Sequence, residues 1–234
     1  MKKIVPHQPA SKKEISDFLQ QVKQTPRASG AGSAGRLAFI IDATASRKPA
    51  WDHACQMQSE MFKAVEKVGS LQVQLAYFRG FDEFKATAWI DNAKALLRLM
   101  TGVNCLAGHT QITRVLQHLV EETGRQRIAA AVYIGDACEE NSKKIFQLAG
   151  QLGVLKTPMF MFQEGRDTRA AKVFETVASL SGGAYCRFDD SSASILAELL
   201  SAVAVYAAGG QKALIDMKNK TARIQHITKQ LPGA

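Results

Sequence analysis

Leu37-Ala38-Phe39-Ile40-Ile41-Asp42-Ala43-Thr44-Ala45-Ser46 is a run of five apolar residues that ends in a carboxylate and two hydroxyls. A short, continuous apolar run suits a strand covered on both faces, as parallel sheets with helices above and below require. A second run of this kind, Ala131-Val132-Tyr133-Ile134-Gly135, leads into Asp136. In a parallel sheet both aspartates fall at the carboxyl edge, where ligands of open α/β folds bind. If the Asp42 strand is central and lies beside the Asp136 strand, the chain leaves the two toward opposite faces. The crevice between them then has a carboxylate on each wall.

Outward from Ile41 the sequence alternates strand and helix signals. A helical pattern covers about 50–68, with Trp51, Ala54, Cys55, Met61, Phe62, Val65 and Val68 on one side and Gly69 as its stop. Leu71 to Phe78 alternates as a half-buried strand does. A turn through Gly80 and Asp82 leads to a second alternating segment, Phe84 to Ile90, which predicts an antiparallel hairpin. Helices are expected at about 92–100, at 111–123 (stopped by Gly124), at 140–152 (ending at Gly153), at 168–180 (ending at Gly182-Gly183) and at 192–207. Strands are expected at 128–134, 158–162 and 185–188. Repeated β-α units imply a mainly parallel sheet with right-handed crossovers.

Before this body, residues 11–24 can form a short amphipathic helix with Ile15, Phe18, Leu19 and Val22 on one stripe. The Gly/Ser/Ala-rich segment after it reads as a linker. It contains Gly30-x-Gly32-x-x-Gly35, a literal dinucleotide fingerprint, but these glycines precede a strand instead of following one, so the match is rejected. The expected division is a flexible basic N-terminal extension over 1–35, one domain over 36–207 and a basic tail over 208–234.

The net charge of +9 sits at the ends. Residues 1–30 carry six basic and two acidic side chains, residues 211–234 five and one, and the body between is nearly neutral. Basic arms can contact phosphates, so nucleic acid is an alternative partner. The two ends hold one aromatic, Phe18, which offers little for base stacking. No apolar stretch approaches the roughly 18–20 residues that span a bilayer, and no apolar run follows Met-Lys-Lys. The expectation is a cytoplasmic, unanchored protein. Cys55, Cys105, Cys138 and Cys186 lack zinc-type spacing.

Asp42, Thr44 and Ser46 place a carboxylate and two hydroxyls at i, i+2 and i+4 on one loop. Thr110, in Gly108-His109-Thr110-Gln111-Ile112, adds a hydroxyl just before another helix. Oxygen donors without imidazole or thiolate suit a hard cation, Mg²⁺, Mn²⁺ or Ca²⁺. Neutral hydroxyl ligands leave positive charge on the ion, able to capture a partner's carboxylate.

Asp42-x-Thr44-x-Ser46, then Thr110, then Asp136 resemble the metal-ion-dependent adhesion site (MIDAS) of von Willebrand factor A (vWA) domains, and the resemblance covers about 36–207. It implies an α/β, three-layer, doubly wound Rossmann-like fold with one antiparallel edge strand and helices on both faces. It implies direct metal ligation by Ser46 and Thr110, and in many members by Thr44, while Asp42 and Asp136 act mostly through water or hydrogen bonds. It implies a protein-interaction module, not an enzyme, that takes an Asp or Glu of a protein partner. Stand-alone bacterial vWA proteins, some near tellurite-resistance and other stress-response systems, are the nearest analogy. Two departures stand out: Thr44 replaces the usual serine, and Ala137 follows Asp136 where glycine is common. The alternative within the same fold is an inactive site whose polar groups only cap loops.

Several residues carry second readings. His109 adjoins Thr110 and is read as a loop residue. His7, His53, His118 and His226 form no ligand set. Glu139 and Glu140 are read as first-turn charges of the helix that follows them, with a role at the rim as the alternative. Cys138 beside His109 is the one nucleophile pairing the sequence offers, and nothing in it fixes their geometry.

Overall fold

β1 (Gly35–Asp42) is buried along all eight residues, so it must lie inside a sheet covered on both sides. A computed structural model describes residues 12–25, 35–45, 52, 55, 61–64, 70–188 and 193–230, and places β1 there. The other strands are β2 (Leu71–Arg79), β3 (Glu83–Ala86), β4 (Ala130–Gly135), β5 (Met159–Glu164) and β6 (Ala184–Phe188). Their order is β3-β2-β1-β4-β5-β6. Every pairing is parallel except β2 with the edge strand β3. This is the expected doubly wound α/β architecture.

Six labelled helices cover the sheet: α1 (Lys12–Gln24), α2 (Ala93–Thr101), α3 (Ile112–Arg125), α4 (Ser142–Val154), α5 (Thr168–Ser181) and α6 (Ala193–Gln230). Leu37, Phe39 and Ile41 of β1 face one core with Met61, Leu96, Met100 and the α6 residues Leu199, Val203 and Tyr206. Ala38 and Ile40 face the other core with Val115, Leu119, Ile145, Leu152 and Phe174. The chain therefore leaves β1 toward one face and β4 toward the other, which makes the β1/β4 boundary the switch point. Ile41 pairs with Ile134, so Asp42 and Asp136 come out at nearly the same level of the carboxyl edge.

Some boundaries differ from expectation for identifiable reasons. β3 ends at Ala86, not Ile90, because the Thr87 hydroxyl takes the Leu75 N–H at 3.2 Å and interrupts the ladder; Ile90 re-pairs with Val73 as an isolated bridge. α3 runs through Gly124 and α4 through Gly153, so neither glycine is a stop. A Cβ on Gly153 would fall 2.2 Å from the Leu180 carbonyl oxygen, so this glycine lets α4 and α5 approach. Gly182 does end α5 in the left-handed conformation, at φ 78°. α6 continues past 207 because Gly210 (φ 72°, ψ −164°) kinks it without ending it, and no proline comes before Pro232. Of the helix expected over 50–68, residues 52, 55 and 61–64 are described and helical; the rest, the linker glycines Gly30 and Gly32, and Ser46 lie outside the described residues.

α1 docks more firmly than a flexible extension would. Phe18 and Val22 are buried, and the Phe18 ring lies 5.1 Å from Phe162 and 6.0 Å from Phe160. Away from the carboxyl edge, Arg36 stacks 3.7 Å over the Trp89 ring, and Glu122 accepts from Trp89 Nε1 at 2.9 Å. His118 Nε2 lies 2.9 Å from Gln74 Oε1. No described helix is long and apolar enough to cross a membrane.

Candidate metal centre

Asp42 ends β1 with its side chain fully buried, and its Oδ1 accepts the Thr44 N–H at 2.8 Å. The carboxylate thus folds the Asp-x-Thr loop around itself, as short polar side chains do at turns. Thr44 is 7% exposed, and so is Thr110, which enters from the 103–111 segment. Backbone bonds hold that segment in place: Leu106 N–H to Ala43 O at 3.0 Å and His109 N–H to Gly80 O at 3.2 Å. Gly108 is required there, because a Cβ would lie 1.8 Å from the Gly80 carbonyl oxygen at the β2–β3 turn.

Asp42, Thr44, Thr110 and Asp136 line one cavity of about 220 Å³, together with Ala45, Ala107, Gly108, Ala137 and Glu139. Four of the five expected donors therefore meet at the carboxyl edge, and the fifth, Ser46, lies outside the described residues. Thr44, the first departure noted above, lines the cavity. Ala137 is not among the residues with positive φ, so the backbone after Asp136 does not demand glycine. A larger cavity of about 520 Å³, lined by Gln21, Gln24, Glu175 and Tyr185 among others, shares no residue with this one.

The structure corrects the reading of Glu139 and Glu140. The helix after them, α4, begins at Ser142 and is capped by Asn141, whose Oδ1 accepts the Lys143 N–H at 2.9 Å. Both glutamates reach across to the Thr110 loop instead. Glu139 Oε2 accepts from Thr110 Oγ1 at 2.7 Å and from the Thr110 N–H at 3.3 Å. The Glu139 N–H returns a bond to Thr110 Oγ1 at 3.3 Å. Glu140 accepts the Ile112 N–H, and the Thr113 N–H at 2.9 Å, so it caps α3 from another loop. Arg169 secures the pair by donating to the Glu139 and Glu140 carbonyls at 3.1 and 3.2 Å. Burial works to raise the Glu139 carboxyl, but the hydrogen bonds from Thr110 outweigh it and hold it below its ordinary value of 4.5. The signal in the sequence was two adjacent acids beside a strand-end aspartate, but the loop they would touch could not be read from it.

The lining offers carboxylate, hydroxyl and backbone oxygen, with no imidazole or thiolate. Among the described residues no three His, Cys, Asp or Glu side chains converge as a ligand set of their own. A cation at this edge would therefore depend on the threonine hydroxyls, and an all-oxygen set of this composition fits a hard divalent ion.

No protein-family model matches the sequence, and no curated protein matches it. Solved structures do. A von Willebrand factor type A protein from Catenulispora acidiphila aligns at TM-score 0.58 and 15% identity over 72% of this chain and 42% of that one. The SpRpn10 VWA domain aligns at TM-score 0.54 and 12% identity over 76% of this chain and 98% of its own. The fold is that of a von Willebrand factor A domain. Proximal thread matrix protein 1 from the mussel byssus, in a structure with a zinc-occupied MIDAS motif, shares the vWA fold at TM-score 0.56 and 14% identity over 73% of this chain and 46% of that one. This chain thus spans under half the length of two of these three neighbours, and at such identities the likeness is one of fold.

At the rim of the vWA carboxyl edge, His109 is exposed and meets the ring of Phe81, itself 75% exposed, at 5.1 Å. Cys138 is buried and does not line the cavity; burial pushes its thiol up, away from thiolate. The Cys138–His109 pairing raised by the sequence is therefore not assembled at the cavity. His118 belongs to the Gln74 contact under α3.

Proposed function

We propose that this chain is a metal-dependent protein-interaction module, with Asp42, Thr44, Ser46, Thr110 and Asp136 as its site. The observation that carries this reading is the meeting of Asp42, Thr44, Thr110 and Asp136 in one cavity at the switch point of a vWA fold. Thr44 and Thr110 are the hydroxyl donors, while buried Asp42 shapes the loop that presents Thr44. A bound Mg²⁺, Mn²⁺ or Ca²⁺ supplies residual positive charge at a solvent-facing position, which selects an Asp or Glu of a protein partner. As neutral ligands, Thr44 and Thr110 would withdraw less of the ion's charge than directly bound carboxylates, with Asp42, Asp136 and Glu139 supplying negative charge from the same lining. The working location for such a module is the cytoplasm. The domain unit runs from the docked α1 through the buried part of α6, with basic segments on either side. Among the described residues no nucleophile and base come together at the cavity, which favours binding over catalysis.

The test is calorimetric titration of metal-stripped protein with each of the three ions, beside Asp42→Asn. Asparagine keeps an oxygen for the Thr44 N–H, so the loop survives while the charge is lost. Saturable binding that weakens strongly in the variant is expected. A short Glu-containing peptide should then bind in Mn²⁺ and not in EDTA. Equal ion binding by wild type and Asp42→Asn would refute the reading. Binding to nucleic acid that persists in EDTA and falls steeply with salt would favour the basic segments instead.

A further inference from the structure

The Thr110 hydroxyl is committed in an unusual way. It has one proton and two lone pairs. The proton goes to Glu139 Oε2 at 2.7 Å, since an ionised carboxylate only accepts. One lone pair takes the Glu139 N–H at 3.3 Å. A single lone pair is left, on an oxygen that lines the same cavity as Asp42 and Asp136. Glu139 lines the cavity as well; without it this hydroxyl would turn its proton toward Asp42 or Asp136 and compete with a cation for that carboxylate.

Resting on the reading above, we infer that Glu139 is the positioning residue of the site: it takes the Thr110 proton, makes Thr110 Oγ1 an acceptor only, and spares Asp136 that duty. The geometry around Glu139 supports a fixed role. Its backbone carbonyl is held by Arg169 at 3.1 Å, and its neighbour Glu140 is bonded to the Ile112 and Thr113 amides two and three residues beyond Thr110. Glu139 is exposed, but flanking bonds anchor its backbone and its carboxylate is aimed at the Thr110 loop.

Glu139 also places a negative charge at the cavity wall, so removing it alone would not separate charge from orientation. Glu139→Gln and Glu139→Ala separate them, because both lose the charge and only Gln keeps an oxygen to accept the Thr110 proton. Mn²⁺ binding to the metal-stripped full chain, read by water-proton relaxation, should be about tenfold tighter for Glu139→Gln than for Glu139→Ala, as for other groups that orient a ligand. The difference should disappear in Thr110→Val, which lacks the hydroxyl. Equal affinities for Gln and Ala in the wild-type background would overturn the inference. So would a Gln–Ala difference that survives Thr110→Val, since that would mean Glu139 acts on the ion directly. Should Thr110→Val bind too weakly to measure, thermal unfolding in EDTA decides: Glu139→Gln should unfold above Glu139→Ala with Thr110 present and level with it in Thr110→Val, and no such difference would overturn the inference. Failure of the wild type to bind Mn²⁺ would remove the metal reading itself, a result distinct from either of these.

Discussion

Glu140→Ala isolates the clamp that joins the β4–α4 loop to α3. The residue at the N-cap of α3, Gln111, makes no side-chain capping bond, so the first turn depends on Glu140 for its Ile112 and Thr113 amides. Loss of a capping acceptor costs about 0.5–2 kcal/mol. A carboxylate at a helix N-terminus adds about 0.3–1 kcal/mol through the dipole. Glu140 is only half-buried, so water recovers part of this, and about 1–2 kcal/mol is the expected loss. For a chain of this size that lowers Tm by about 3–6 °C. Glu140→Gln keeps an acceptor but not the charge and should lose about half as much. The assay is thermal unfolding by circular dichroism in EDTA, so that no bound cation adds stability of its own. An Ala variant within 0.5 kcal/mol of wild type (about the noise of a neutral surface change) would refute the clamp, and so would equal losses for Gln and Ala.

Gly108→Ala forces a Cβ to within 1.8 Å of the Gly80 carbonyl oxygen, so the Thr110 loop must shift. The expected cost is about 1–3 kcal/mol in urea unfolding, with weaker Mn²⁺ binding; full stability and affinity together would contradict the close approach. Phe18→Ala empties the space beside Phe160 and Phe162 and should cost about 3 kcal/mol, with α1 released early in limited proteolysis. For His118, burial holds the imidazole below its ordinary value of 6.5 against the opposing pull of Glu122 and Glu121. The unfolded chain then binds the proton more readily than the folded one, so stability should be full above about pH 6.5 and fall as the pH drops toward the lowered folded value. Urea midpoints between pH 7 and 5 should show this slope in wild type, and His118→Gln should flatten it.

The fold was legible because its strongest signals are local. Leu37–Ile41 and Ala131–Ile134 are too apolar to be exposed on either face, which forces a covered parallel sheet, and Asp42 and Asp136 fall at its carboxyl edge by chain direction alone. Helix ends were less legible, because a glycine serves packing as well as capping. Gly153 admits the Leu180 carbonyl, whereas Gly182 is the left-handed cap, and the sequence around the two does not tell them apart. The last helix was expected to end at 207 and runs on, because Gly210 kinks α6 without ending it.

The candidate site divides along the same line. Residues set by a strand end or a helix start, Asp42, Thr44, Thr110 and Asp136, could be placed at the carboxyl edge from spacing, and they line one cavity there. Glu139 and Glu140 could not, because each acts on a residue 27 to 29 positions away, on a loop whose approach depends on Gly108 lying against Gly80. Those cross-loop bonds also decide what the donors can do. Ala43 O holds Leu106, Gly80 O holds His109, Glu139 holds Thr110 and Glu140 holds Ile112 and Thr113, so the segments after β1, β2 and β4 are all tied to the 103–113 stretch before any ligand arrives. A hydroxyl is a weak donor whose use depends on where its proton points, and in this chain that direction is set by a carboxylate outside the Asp-x-Thr-x-Ser pattern. The pattern alone therefore names donor atoms without fixing their chemistry; the β4–α4 loop makes Thr110 an acceptor.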